Sequence, residues 1–123
     1  MKISIPKETL HDETRVAATP LSVRELIKAG YEVNIETGAG TSSFISDENF
    51  KNAGANIVSS TKELYKDSDI IIKVAAPNND EIELMPRGSI LISFFQPTIE
   101  LEKVKSISNK KITGLSMHLV PRT

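Results

Sequence analysis

Few side chains in this 123-residue sequence have types and positions suited to chemistry: Arg15, Lys73, Gln96 and Arg122 stand out, beside only two histidines, His11 and His118. Arg15 lies in a polar stretch after the first apolar segment. A guanidinium there grips a carboxylate or pyrophosphate bidentately, or else pairs with its neighbours Asp12 and Glu13. Lys73 interrupts the apolar run Ile70–Val74. Its ammonium must either snorkel from a strand end or meet a buried anion or a ligand, because an unpaired buried charge is costly. Gln96 follows an apolar segment and precedes Pro97, where its amide can donate and accept but cannot act as a general base. Arg122 belongs to Val120-Pro121-Arg122 at the carboxyl terminus, where a frayed tail is the ordinary expectation.

Other chemistries lack their residues. With no cysteine there is no disulfide, thiolate metal site or Cys nucleophile, and two isolated histidines favour solvated or hydrogen-bonded roles over metal binding. No GxSxG elbow and no GxxxxGK[ST] loop is present. Gly38-Ala39-Gly40 follows a strand-like segment but continues Thr41-Ser42-Ser43, without the third glycine that opens a helix in a dinucleotide fingerprint. A strand-ending turn is the expected reading. Fifteen basic against 16 acidic residues leave a formal charge of -1, which argues against a nucleic-acid partner. No apolar run approaches the ~20 residues of a spanning helix, and no signal-like segment opens the chain. The expectation is a cytosolic domain, which still allows docking onto a membrane-bound partner.

The elements that must position these residues follow from periodicity. Lys2–Ile5 reads as a short buried strand closed by Pro6. Thr19-Pro20 sets a hydroxyl N-cap before a proline at the first helical position, Val23, Leu26 and Ile27 form one apolar stripe, and Ala29-Gly30 stops the helix. Tyr31–Glu36 alternates as a strand, Ser46 opens a helix through Phe50 and Ala53, and Asn56–Val58 is a brief strand. Ser60 and Glu63 have capping-box spacing; Asp69–Val74 and Ser89–Phe95 read as buried strands flanking a short helix over Glu81–Met85. Leu101, Val104 and Ile107 mark a last helix before a strand over Lys111–Met117. The expected architecture is α/β: one three-layer domain over residues 1–123 with a mainly parallel five-stranded sheet and polar loops gathered at the strands' carboxyl ends.

Ile5-Pro6-Lys7-Glu8, Glu13 to Pro20, Glu36-Thr37-Gly38-Ala39-Gly40, Ile72 to Pro77 and Val120-Pro121-Arg122 carry a family pattern. The chain resembles, over essentially its whole length, the amino-terminal domain shared by alanine dehydrogenase and the alpha subunit of proton-translocating NAD(P) transhydrogenase. The resemblance implies a Rossmann-like or flavodoxin-like lobe beside a separate NAD-binding lobe, absent from these residues, with nicotinamide chemistry in the cleft between them. Alanine dehydrogenases hold a substrate carboxylate with the residues matched by Arg15 and Lys73, and place a catalytic histidine where this chain has Gln96. Glutamine cannot cycle protons, so the resemblance leans to the transhydrogenase branch.

On that branch Arg15, Lys73 and Gln96 are implied to line or support the NAD(H) cleft, and Arg122 to approach the nicotinamide as the catalytic candidate. The implied assembly is a homodimer at the cytoplasmic face of a bacterial inner membrane, with a separate NADP(H)-binding domain and a membrane domain. Two departures stand out. The chain stops before the Ser-Arg-Ala-Gln that follows Val-Pro-Arg in the family, and His118 occupies a usually acidic position. The expectation is therefore that the 123 residues alone do not turn over. The alternatives are an alanine-dehydrogenase-like domain and a non-catalytic lobe acting in binding or dimerisation.

Overall fold

The computed structural model describes residues 1–8, 16–66, 68–75, 79–94 and 112–116. The chain runs β1 (Lys2–Ile5), α1 (Pro20–Lys28), β2 (Glu32–Glu36), α2 (Asp47–Asn52), β3 (Asn56–Val58), α3 (Thr61–Tyr65), β4 (Ile70–Ala75), α4 (Asn79–Leu84), β5 (Ile90–Phe94) and β6 (Thr113–Ser116). The helix expected around Leu101, Val104 and Ile107 lies outside the described residues.

Local chemistry sets the helix boundaries. Thr19 Oγ1 accepts the Ser22 N–H at 3.1 Å and Ser22 Oγ accepts the Thr19 N–H at 2.8 Å, a reciprocal box with serine in the usual Glu/Gln place. Pro20 follows at the first helical position, and Gly30, at φ 99, turns the chain after the Ala29 cap. Ser46 Oγ and Ser60 Oγ cap α2 and α3 by accepting the N–H groups of Asn49 and Glu63, each at 3.1 Å.

The strands form one sheet in the order β3-β2-β1-β4-β5-β6, every pairing parallel. The sheet has six strands, one more than the five expected, since every segment read as a strand joins it, the three-residue edge strand Asn56–Val58 included. The order is that of a Rossmann fold rather than the flavodoxin order, and the direction of winding reverses between β1 and β4. A crevice opens at such a reversal, outside the carboxyl ends of the strands.

Strand alternation divides the interior into two unlike halves. Ile3, Ile5, Val33 and Ile35 point to the α1/α2 side, where they pack with Val23, Phe50 and Ala53 in a wholly apolar cluster. The opposite side carries Ile71 and Leu91, packed with Tyr65 of α3, Ile82 of α4, and Met85. Interleaved among these apolar residues are Ser4, Lys73 and Ser93, all buried.

Candidate functional site

The crevice at the β1/β4 reversal is built from the first residues past β1 and the last of β4. Proline at position 6 ends β1 and sends the chain outward, so Glu8 comes to rest over the end of β4. The β4–β5 register advances from Ile72↔Ile92 to Ala75↔Phe94, so β4 carries one extra residue across Lys73-Val74. This bulge re-aims the strand end, as bulges beside functional sites commonly do. Within it the Val74 N–H donates to Glu8 Oε2 at 2.9 Å.

Lys73 is 3% exposed, and its ammonium stands 3.2 Å from Glu8 Oε1 and 3.0 Å from Glu81 Oε2. The ammonium is thus gripped from β1 on one side and from α4 on the other. Glu81 Oε2 also accepts the Tyr65 hydroxyl at 3.2 Å. Burial first, then the neighbouring Glu81 carboxylate, push the Tyr65 phenol well above its ordinary value, so it stays a neutral donor. Two carboxylates, one ammonium and one phenol therefore form a continuous buried network linking β1, α3, β4 and α4. In chemical terms it pairs one buried ammonium with two carboxylates beside the β1/β4 reversal. Among the described residues no group of three or more His, Cys, Asp or Glu is placed to hold a metal ion.

A third carboxylate lies at the end of the neighbouring strand. Glu36, the last residue of β2, accepts the Lys7 N–H at 3.0 Å through Oε1 and the Thr61 hydroxyl at 2.8 Å through Oε2. In dinucleotide-binding Rossmann units an acid near this place receives a ribose hydroxyl. Here it tethers the β1 exit loop to the start of α3.

Gly38-Ala39-Gly40 forms a packed turn after β2. The Gly38 N–H donates to Asp47 Oδ1 at 2.9 Å and the Thr37 hydroxyl to Asp47 Oδ2 at 2.6 Å. A Cβ on Gly40 would lie 2.7 Å from the Ile45 carbonyl oxygen and 2.7 Å from Phe50 Cε2, so glycine is required there by packing. The turn ends at Phe44, which holds a left-handed φ of 62 with its side chain 96% exposed.

Of the residues singled out from sequence, Lys73 lies in the described structure, and of the two readings given for it the buried anion is the one observed. Arg15, Gln96 and Arg122 lie outside the described residues, as do His11 and His118. Sequence reasoning missed Glu8, Glu81 and Tyr65. The signal that finds Glu8 is topological: with β1 beside β4, the first acid after β1 is the natural counterion for a lysine near the end of β4.

A fully parallel sheet in Rossmann order, with an acid-gripped lysine beside its switch point, defines a lobe of the doubly wound α/β class, and sequence comparison narrows this. Residues 4–123 match the family described as alanine dehydrogenase/PNT, N-terminal domain, and the chain belongs to that family. It is 41% identical over 120 residues to an alanine dehydrogenase of Methanococcus maripaludis, covering 98% of this chain and 32% of that one. It is 43% identical over 122 residues to an NAD(P) transhydrogenase subunit alpha of Haemophilus influenzae, covering 99% and 23%. The solved transhydrogenase from Sinorhizobium meliloti superposes with a TM-score of 0.95 at 32% identity, over 100% of this chain and 36% of that one. The chain thus spans about a third or less of the length of the relatives it matches. Among the described residues no helix is long and apolar enough to cross a membrane.

Proposed function

We propose that residues 1–123 act as the amino-terminal lobe of a proton-translocating NAD(P) transhydrogenase alpha subunit, supporting hydride transfer from NADH to NADP⁺ at a cleft with a separate NAD-binding lobe. The observation that carries the reading is Gln96. The position that on the alanine dehydrogenase branch holds a proton-cycling histidine carries an amide here, and direct hydride transfer between two nicotinamides needs no proton shuttle. Lys73, paired with Glu8 and Glu81, is implied at the cleft on both branches and does not separate them. In this proposal Arg15, Lys73 and Gln96 support NAD(H), and Arg122 approaches the nicotinamide. NADP(H) sits on a separate domain, a membrane domain couples transfer to proton movement, and the complete subunit dimerises.

The test combines the chain with an NAD-binding lobe and an NADP(H)-binding component, supplies NADH, and follows reduction of NADP⁺. Hydride transfer that depends on the chain is the expected outcome, and its absence from the reconstituted system sinks the reading. The same mixture without NADP⁺, given NADH, pyruvate and ammonia, checks the alanine dehydrogenase alternative, which the 41% identity to the Methanococcus maripaludis enzyme keeps in view. No oxidation of NADH is expected in that arm.

A further inference from the structure

Ser93 is fully buried, and its hydroxyl has no hydrogen-bond partner among the described residues. Such an atom calls for an explanation, because a hydroxyl shut away from water without a partner is costly. Its place in the sheet supplies one. Ser93 follows Leu91 on the α3/α4 side, and Ile72↔Ile92 and Ala75↔Phe94 bracket it, so it lies directly across from the Lys73-Val74 bulge. The ammonium of Lys73 has three N–H donors, and Glu8 and Glu81 account for two. A buried hydroxyl in need of a partner and a buried ammonium with a third donor thus occupy adjacent strands on one side of the sheet.

We propose that Ser93 Oγ and Lys73 Nζ together form an internal oxygen-binding position, occupied by one water molecule that accepts from the ammonium and exchanges a hydrogen bond with the serine. Water is favoured over any larger ligand because both side chains are sealed, Ser93 at 0% and the Lys73 side chain at 1% exposure. The site also meets the polar requirement for internal hydration, since such waters make about three hydrogen bonds and Glu8 and Glu81 stand beside the ammonium. The extra residue in β4 bears on this, since a bulge leaves a residue unpaired in the ladder and bends the strand, which alters the facing of Lys73 and Ser93. The site completes the hydrogen bonding of Lys73 by giving its third N–H an acceptor. Ser93 is in that sense a positioning residue for the ammonium, acting through the water.

The test uses the 123-residue chain itself. Ammonium-detected NMR of the unaltered protein is expected to show cross-relaxation from one long-lived water to both the Lys73 ammonium and Ser93. No such cross-peak, or a cross-peak to one of the two alone, overturns the proposal. Ser93→Ala should abolish the water signal at Lys73, shift the ammonium nitrogen resonance and lower the unfolding midpoint. A raised midpoint with an unmoved ammonium resonance would mean that the hydroxyl was merely unsatisfied, since removing an orphan group relieves its desolvation cost. Because no cofactor or turnover enters these measurements, they fail or succeed independently of the hydride-transfer assay.

Discussion

The two sides of the sheet are built from the same strands by opposite rules. On the α1/α2 side Ile3, Ile5, Val33 and Ile35 meet Val23 and Phe50, and among the described residues the ion-pair network does not reach them. On the α3/α4 side the same strands present Ser4, Lys73 and Ser93 between isoleucine and leucine, and the helices answer with Tyr65 and Glu81. Ser4 Oγ there donates to the Leu64 carbonyl at 3.0 Å and contacts Ser68 Oγ, which makes its own bond to Leu64 at 2.8 Å. The apolar side depends on area and fit, which are forgiving of small changes. The polar side depends on every partner being present, because a half-satisfied buried network is worse than none. The lesson is that the buried ion-pair network is confined to one face of the sheet, while both faces carry an apolar core.

Substitutions that break this contrast range from large to small. Glu8→Ala should cost about 3–5 kcal/mol in denaturant unfolding, since it removes a partner of a buried ammonium and the acceptor of the Val74 N–H. Glu8→Gln, which keeps an acceptor for that N–H, should cost less. A loss under roughly 1 kcal/mol for Glu8→Ala would place the pair among weak surface ion pairs and erase the distinction between the faces.

Tyr65→Phe should cost about 1.5–3 kcal/mol, the range for a hydrogen bond to a charged group, by stripping the phenol donor from Glu81. It also carries a pH signature. The folded-state value of the phenol is raised, so its contribution is complete below its unfolded value near 10 and is lost as pH rises beyond that. The gap between the unaltered chain and Tyr65→Phe should therefore narrow above pH ~10, at up to about 1.4 kcal/mol per unit. A gap that stays constant to high pH would show that the phenol ionises freely in the folded protein.

Phe44→Gly touches neither face and serves as the reference. It relieves a left-handed backbone at a side chain that is almost wholly exposed, so stability should rise by about 1–2 kcal/mol. Ile35→Val, on the apolar face, should cost only about 0.5–1.5 kcal/mol with no dependence on pH or salt. A loss as large as that of Glu8→Ala would mean that the apolar face is as intolerant as the polar one.

How much of this was legible in the sequence follows the same division. Helices and strands declared themselves through local signals: Thr19-Pro20, Ser46 and Ser60 mark where chain meets cap within three residues, and apolar alternation marks β1 and β2. Lys73 was legible as a problem, because a charge inside an apolar run demands a partner. The partners were not legible. Glu8 and Glu81 lie in stretches whose own pattern reads as a loop and a short helix, and only the placement of β1 next to β4 makes them neighbours of the lysine. Ser93 was hidden for a different reason. A serine inside Ile90–Phe94 is unremarkable as composition and becomes informative only when every neighbour has been counted and none is a partner.

The central position of β1 has a consequence in time. This strand is made first, yet it is flanked by β2 on one edge and β4 on the other, so its second edge is not covered until residues 70–75 have been synthesised. Until then Glu8 has no Lys73 to meet, and the half-sheet of β1, β2 and β3 with α1 and α2 must hold through its apolar face alone. The network that fixes the ammonium closes a loop of 65 residues, and the entropic cost of such a closure grows only slowly with its length.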